Sequence, residues 1–445
     1  MYIAETKDSL QSAVEKILNQ IKDEKGKILK QSREVYIKIN GIDFKEHCYT
    51  SPEVLDAVLN YVNQLGAQKV HVMENSTQSN MTRVVFAING YKKICKKHNA
   101  KIIYLDEEDS ELYQFKGKSS EKKEPQGYKL KTLKLPKTIA KIMKNRDDVT
   151  YINIPKLKTH SMAVVTLGIK NQWGFPQHDS RGIDHNYNLH NKLVDVYEYI
   201  QPDITLIDGT EGTIHGHYPP EAFADELVIP FQILIGGTDT LSVDVVGARV
   251  FGLSLEEIPH LKIAYEHGLG EGNLDNIEVI GKDRSEYNTK YDWDLLEKFP
   301  EDVKIVKGTE LLCREGCKNN PLSLLQVLAY DYSEKFEGGW FLVMGKGHAQ
   351  NLGEELEKEG YTKGLIAGDC AIDEVGVQLR ERFGEKKVYF SHECNNLAQT
   401  ASAMFKLSGV TALDLCKGKI SLWKIPFLLL SAKLHGSKAR IPSIL

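Results

Sequence analysis

Four cysteines in the last third of the chain are the first residues whose types could carry chemistry. Cys313 and Cys317 stand in LCREGCKNN, Cys370 ends GLIAGDC, and Cys394 follows KVYFSHE. Four thiolates suit a [4Fe-4S] cluster or a tetrahedral zinc ion. The spacing is neither the compact run of ferredoxins nor the paired motif of zinc knuckles. It favours the cluster, because structural zinc usually takes more closely paired ligands. The bland alternative is a set of thiols packed as small hydrophobes, which is the reading given to Cys48, Cys95 and Cys416. Asp369, Glu374, His392 and Glu393 flank the set and could serve as further ligands or as their supporting partners.

A second constellation is NIPKLKTHSMAVVTLGIKNQWG, residues 153 to 174. Its cations stand among apolar residues, where lysine is rarely buried without compensation. Lysine and histidine in that setting suit a carboxylate or phosphate ligand. Lys158, His160, Lys170 and Asp208 are the candidate acid/base groups. Lys38, Asn40, Lys156, Thr166, Asn171 and Asp239 are the candidate substrate contacts. Glu74, Asn75, Glu211, His215, His217 and Asp244 also fall near expected strand ends. A solvated cationic loop is the plain alternative. A divalent metal on His160, His185, His190 and Asp208 lacks any helical ligand signature. Gly345, Lys346, Gly347 and His348 form either an anion-binding turn or an ordinary tight turn.

These residues need elements to position them. The runs at 35–40, 69–75, 101–105, 149–155, 203–209 and 228–237 read as strands, with amphipathic helices at 8–22 and 52–65, one near 82–97, and two more at 240–252 and 255–267. Ser51-Pro52-Glu53 is a helix start with a cap, a first-turn proline and an acid at the positive end. This β-α-β-α rhythm predicts an α/β fold, a mostly parallel sheet with helices on both faces. Residues 106 to 136 read as a hairpin excursion, and 276–281 as the last strand of the unit. The runs 340–345, 364–369 and 387–391 predict a smaller C-terminal α/β domain. The expected organisation is 1–285, then 301–415 with the cysteines, then a tail, 416–445. Loops after parallel strands share one edge, so the polar strand ends and the cysteines each gather at such a rim.

Composition bounds the function. The chain has 445 residues, 41% hydrophobic and 27% charged, which is ordinary for a globular protein. A net charge of −4 gives no general attraction to nucleic acid, and none is expected as a partner. No run reaches the length of a membrane span, and no secretory signal is visible, so a cytoplasmic setting is expected. Seven cysteines, an odd number, argue against a disulfide scaffold. The tail carries six Lys or Arg and no acid around IPFLLLSA. It either docks on the body or makes a weak contact with a membrane surface.

The IKIN strand, the TSPEVLDAVLNYV helix with QKVHVMEN, the KLKTH and GIKNQWG pair, the LIDGTEG turn and GGTDTLSVDVVGARVFG resemble the domain-of-unknown-function family 362. The likeness covers about residues 30 to 270. It implies that Lys156, Lys158, His160, Lys170, Asn171 and Asp208 form a signature surface, and many members are linked to iron–sulfur modules. The family has no agreed reaction. Its common C-terminal partner has compact cysteine spacing, unlike the spread set here.

Three functions follow as expectations. The first is an iron–sulfur or metal enzyme acting on a small anionic substrate, with an electron carrier as partner. The second is a cofactor-poor acid/base isomerase or racemase of a hydroxy or amino acid. The third is a zinc-stabilised binding or scaffold protein.

Overall fold

The computed structural model describes residues 1–25, 34–114, 132–178, 188–283 and 286–442. Strands β1 (Tyr2–Glu5), β2 (Glu34–Ile39), β3 (Lys69–Glu74) and β4 (Lys101–Tyr104) come first. A hairpin of β5 (Ser110–Gln114) and β6 (Thr132–Pro136) follows, as the sequence predicts. Then come β7 (Val149–Ile154), β8 (Lys156–His160), β9 (Val164–Val165), β10 (Ile204–Thr213), β11 (Val228–Ile229), β12 (Ile233–Gly237) and β13 (Ile280–Gly281).

The main sheet runs β13-β1-β12-β10-β7-β2-β3-β4. Strands β2, β3, β4, β7 and β10 are mutually parallel. After Pro155 the chain continues as β8, also parallel to β10, with Lys156 opposite Asp208. Strand β12 departs from the expected direction: it runs antiparallel to both β10 and β1. Strand β1 has no counterpart in the sequence reading, and the expected strand at 276–281 is reduced to Ile280–Gly281.

Helices cover both faces. The helix Pro52–Gln64 starts as its sequence dictates: the Ser51 side chain accepts from the Val54 N–H, and Val54, Leu55, Val58, Leu59 and Val62 are buried. With the helix Leu10–Lys25 it packs on one face of the sheet. The helices Leu189–Tyr199, Thr240–Val250 and Pro259–Glu266 pack on the other. The helix expected near 82–97 is two, Thr82–Ile88 and Tyr91–Lys97, broken at Gly90 with φ of 80°. Ile152, Ile154, Leu206 and Leu234 are fully buried in the sheet. Each such side chain contributes about 1.5–3 kcal/mol of hydrophobic stabilisation.

A separate, smaller sheet comprises β14 (Val303–Lys307), β15 (Trp340–Met344), β16 (Gly364–Ala367) and β17 (Val388–Ser391), all parallel and in sequence order. The helices Asn319–Asp331 and Leu397–Ser408 pack on one face, and Leu352–Lys358 and Val377–Phe383 on the other. The tail docks: Cys416, Ile425, Ala432 and Ala439 bury against Phe44, Met81, Val84 and Val85 of the first unit. Among the described residues no helix is long and apolar enough to cross a membrane.

Gly236 lets the first helix lie close to β12. A Cβ there would stand 2.5 Å from Ile17 Cγ2 and 3.1 Å from Leu206 Cδ1. Gly236→Ala is expected to destabilise the protein by about 1–3 kcal/mol, the usual range for overpacking. Urea denaturation of the two proteins measures it.

Candidate functional site

The carboxyl ends of β2, β3, β7 and β8 gather the polar groups that the sequence singles out. Lys38 Nζ lies 2.5 Å from Glu74 Oε1, and both side chains are almost fully buried. The same ammonium donates to the Ile39 carbonyl at 2.8 Å and reaches Asn171 Oδ1 at 3.5 Å. Asn40 Nδ2 donates to Asn171 Oδ1, and Asn171 Nδ2 donates to Asn153 Oδ1, each at 2.8 Å. Lys156 Nζ lies 3.3 Å from Asp208 Oδ2 and 3.6 Å from Glu211 Oε1. Asp208 also accepts from the Ser51 and Thr210 backbone N–H groups and the Thr210 hydroxyl.

Lys158 differs from its neighbours. It is completely buried, and its ammonium donates to the Cys48 carbonyl rather than to a carboxylate. Burial, with Lys170 and Lys156 close by, depresses its pKa to about 7. His160 Nδ1 accepts from the Met162 and Ala163 N–H groups, each at 3.2 Å, which puts the neutral ring's proton on Nε2. Its ring stacks on His217 at 3.8 Å.

The turn that carries these groups is strained. Val164 and Leu167 have φ of 69° and 42°. Side-chain-bearing residues there cost of order 1–3 kcal/mol each, and such strain concentrates at functional sites. Asp244 secures the turn by accepting from the Gly168 and Ile169 N–H groups at 2.6 and 2.8 Å. Burial pushes its carboxyl up to about 8. Gly168 is required by this contact, since a Cβ would stand 2.8 Å from Asp244 Oδ1. The buried Thr166 hydroxyl and Asn40 Oδ1 find no hydrogen-bond partner among the described residues.

Asp239 does not share this rim. Because β12 is antiparallel to β10, with Gly237 opposite Thr205, its carboxyl end lies at the other edge of the sheet. Asp239 instead caps the helix Thr240–Val250 through the Ser242 N–H and holds the Glu271 N–H. His185 lies outside the described residues. His190 pairs with His260 at 3.2 Å on the buried side of the helix Leu189–Tyr199, apart from Asp208. The turn at Gly345–His348 is occupied by the protein's own carboxylate: Gly347 N–H donates to Glu374 at 3.0 Å.

The four late cysteines come together. Cys370 and Cys394 follow the adjacent parallel strands β16 and β17, and the loops are tied by Asp369 N–H to the Glu393 carbonyl and Glu393 N–H to the Asp369 carboxylate, both at 2.9 Å. Gly368, with φ of 90°, lies against Cys317: a Cβ there would stand 2.4 Å from its sulfur. Lys318 N–H donates to the Cys313 carbonyl, folding that loop back on itself. Burial raises the Cys317 thiol, and Cys394, Cys370 and Cys313 each add to the rise, which is the mark of four neighbouring thiols. As they stand, no three His, Cys, Asp or Glu among the described residues are grouped to hold a single metal ion. Four thiols are the donor set that either a [4Fe-4S] cluster or a tetrahedral zinc ion takes.

The cysteine-bearing loop is tied to the His160 turn. Asn319, two residues after Cys317, donates to the carbonyl of Ser161, the neighbour of His160, at 2.7 Å. Arg314 stacks on Trp293 at 4.6 Å and adds to the burial that lowers His190 to about 4. Lys45 meets Asp331 at 2.5 Å. Between the units lies a cavity of about 190 Å³ that touches Met162, His217 and Tyr218 on one side and Ser323 and Asn395 on the other; neither Lys156, Lys158 and His160 nor the four late cysteines line it. Asn395 follows Cys394, and its buried Nδ2 has no partner among the described residues. Asn153, Arg314, Asn319 and Asn395 were not anticipated. Their one local signal is proximity to KLKTH or to a cysteine, and their roles arise from contacts between segments distant in sequence.

An α/β protein with a lysine-rich rim at the end of a parallel sheet is the class that this geometry defines. Residues 35–249 match the family described as "Domain of unknown function (DUF362)". The thylakoid-associated protein sll1697 of Synechocystis sp. is 27% identical over 248 residues. The match covers 49% of this chain and 66% of that relative's length, slightly under two thirds.

Lys158 makes a pH signature. Its ordinary pKa of 10.5 falls to about 7 in the folded state. Between those values the unfolded chain binds the extra proton, so this group makes stability rise with pH across that window. Lys158→Met is expected to remove that rise. Urea unfolding of both proteins at several pH values from neutral to alkaline compares the slopes.

Proposed function

We propose that this protein is an iron–sulfur enzyme that acts on a small anionic substrate between its two units. The observation that carries the reading is the convergence of Cys313, Cys317, Cys370 and Cys394 at an edge bonded directly to the His160 turn. Those four thiolates would hold a [4Fe-4S] cluster, which supplies electron transfer or Lewis-acid polarisation when bound. The rest belongs to the chain. Lys156, Lys158 and Lys170 press positive charge on one rim, and an anion relieves that repulsion. Lys158, poised near neutrality, can give or take a proton, and His160 can donate a hydrogen bond from Nε2. The Thr166 hydroxyl, Asn40 and Asn395 offer hydrogen bonds to the substrate. An electron carrier is the partner if the chemistry is redox. The thylakoid association of the relative fits work beside a membrane.

A cofactor-poor acid/base reaction is the second reading, favoured by Lys158 itself. Zinc on the same thiols in a binding or scaffold protein is the third. Anaerobic purification with assays for iron, acid-labile sulfide and zinc separates them. About four irons and four sulfides per chain are expected. Both should be lost in Cys370→Ser/Cys394→Ser, whose fold is checked by circular dichroism. Zinc at one equivalent, or no metal in freshly isolated protein, would sink the iron–sulfur reading.

A further inference from the structure

The helix Lys424–Leu434 is apolar on two opposite faces, and docking explains only one. Ile425 and Ala432 are buried against the first unit. Trp423, Phe427, Leu430 and Leu434 are 67%, 66%, 57% and 77% exposed. Their spacing of four, three and four places them in a single stripe. Trp423 and Phe427 meet edge to face at 6.3 Å, so the stripe begins with a joined aromatic pair. Soluble proteins seldom leave such a row uncovered without a purpose.

The charges around the stripe indicate what covers it. Lys424 and Lys433 on the helix and Lys417 just before it are exposed, and no Asp or Glu occurs from Cys416 to Leu445. Lys424 lies over the Trp423 ring at 5.5 Å, in the arrangement of a lysine whose stem follows apolar surface while its charge stays in water. A second copy of this chain would bring lysines against lysines. A partner with an apolar interior below a negative surface matches both features.

We propose that this helix lies flat on an anionic lipid surface, with Trp423, Phe427, Leu430 and Leu434 entering the headgroup boundary and the three lysines meeting lipid phosphates. The docked face holds the helix in place, so the stripe is presented without a folding cost. The contact is reversible, because a stripe of four side chains on a short helix does not span the bilayer. It does not depend on the reading of the cysteine site.

The test is co-sedimentation of the full-length protein with phosphatidylglycerol-containing vesicles and with pure phosphatidylcholine vesicles. Binding to the anionic vesicles, weakened by salt, is expected. Leu430→Glu/Leu434→Glu changes only exposed positions and should lower the vesicle-bound fraction about ten-fold or more while leaving the thermal melt unchanged. Trp423 emission, isolated as the difference from Trp423→Ala, should shift to the blue on binding. Equal binding to both vesicle types, no binding to either, or unchanged binding of the double variant would overturn the proposal. So would a concentration-dependent dimer, seen by sedimentation, that the double variant abolishes without any lipid effect.

Discussion

A lysine ammonium buried at the end of a parallel sheet must be compensated, and the first unit is organised around that requirement. Lys38 on β2 meets Glu74 on β3, and Lys156 on β8 meets Asp208 on β10. Each pair bridges neighbouring strands, so strand register and charge pairing depend on one another. Removing one member of such a pair typically costs on the order of 3–5 kcal/mol, because the other stays buried and charged. Lys158 follows the other route: it bonds to a carbonyl and yields its proton near neutrality. One rim therefore holds two fixed charge pairs and one titrating amine.

That arrangement needs a rigid frame. Asp244 reaches across from the helix Thr240–Val250 to hold the amides of Gly168 and Ile169. Its bonds offset the strained backbone at Val164 and Leu167, since left-handed residues persist only where their surroundings over-determine them. The ladder of Asn40, Asn171 and Asn153 continues the frame to β2 and β7. The buried polar atoms left over near this turn are then candidates for a ligand rather than packing faults.

The second unit gathers thiols by the same strand-end geometry. Parallel strands deliver Cys370 and Cys394 side by side, and Gly368 leaves the space that Cys317 enters. Asn319 then anchors the cysteine loop on the His160 turn. The tail closes one side of the cavity with Cys416 and Ile425 while turning its aromatic stripe outward.

Local pattern made much of this legible. The apolar runs read as strands and became β2, β3, β4, β7, β10, β15, β16 and β17, and Ser51-Pro52 marked a helix start that the structure keeps. Clustering of Lys156, Lys158, His160 and Asn171 among apolar residues identified the rim, because lysine in such company is uncommon unless something compensates it. Strand direction was not legible. Nothing in VIPFQILIGG states that β12 turns antiparallel, since direction depends on how the connection closes and on β1 pairing beside it. Asp239 was accordingly placed on the wrong edge. The partners Arg314, Asn319 and Asn395 act through contacts between distant segments, which one-dimensional spacing does not record. Sequence by itself determined which segments are strands or helices and which chemical groups the chain possesses, because those follow from periodicity and residue type over a few neighbours. Only the tertiary structure decided which groups face each other, because that follows from strand order, direction and the packing of two sheets over hundreds of residues.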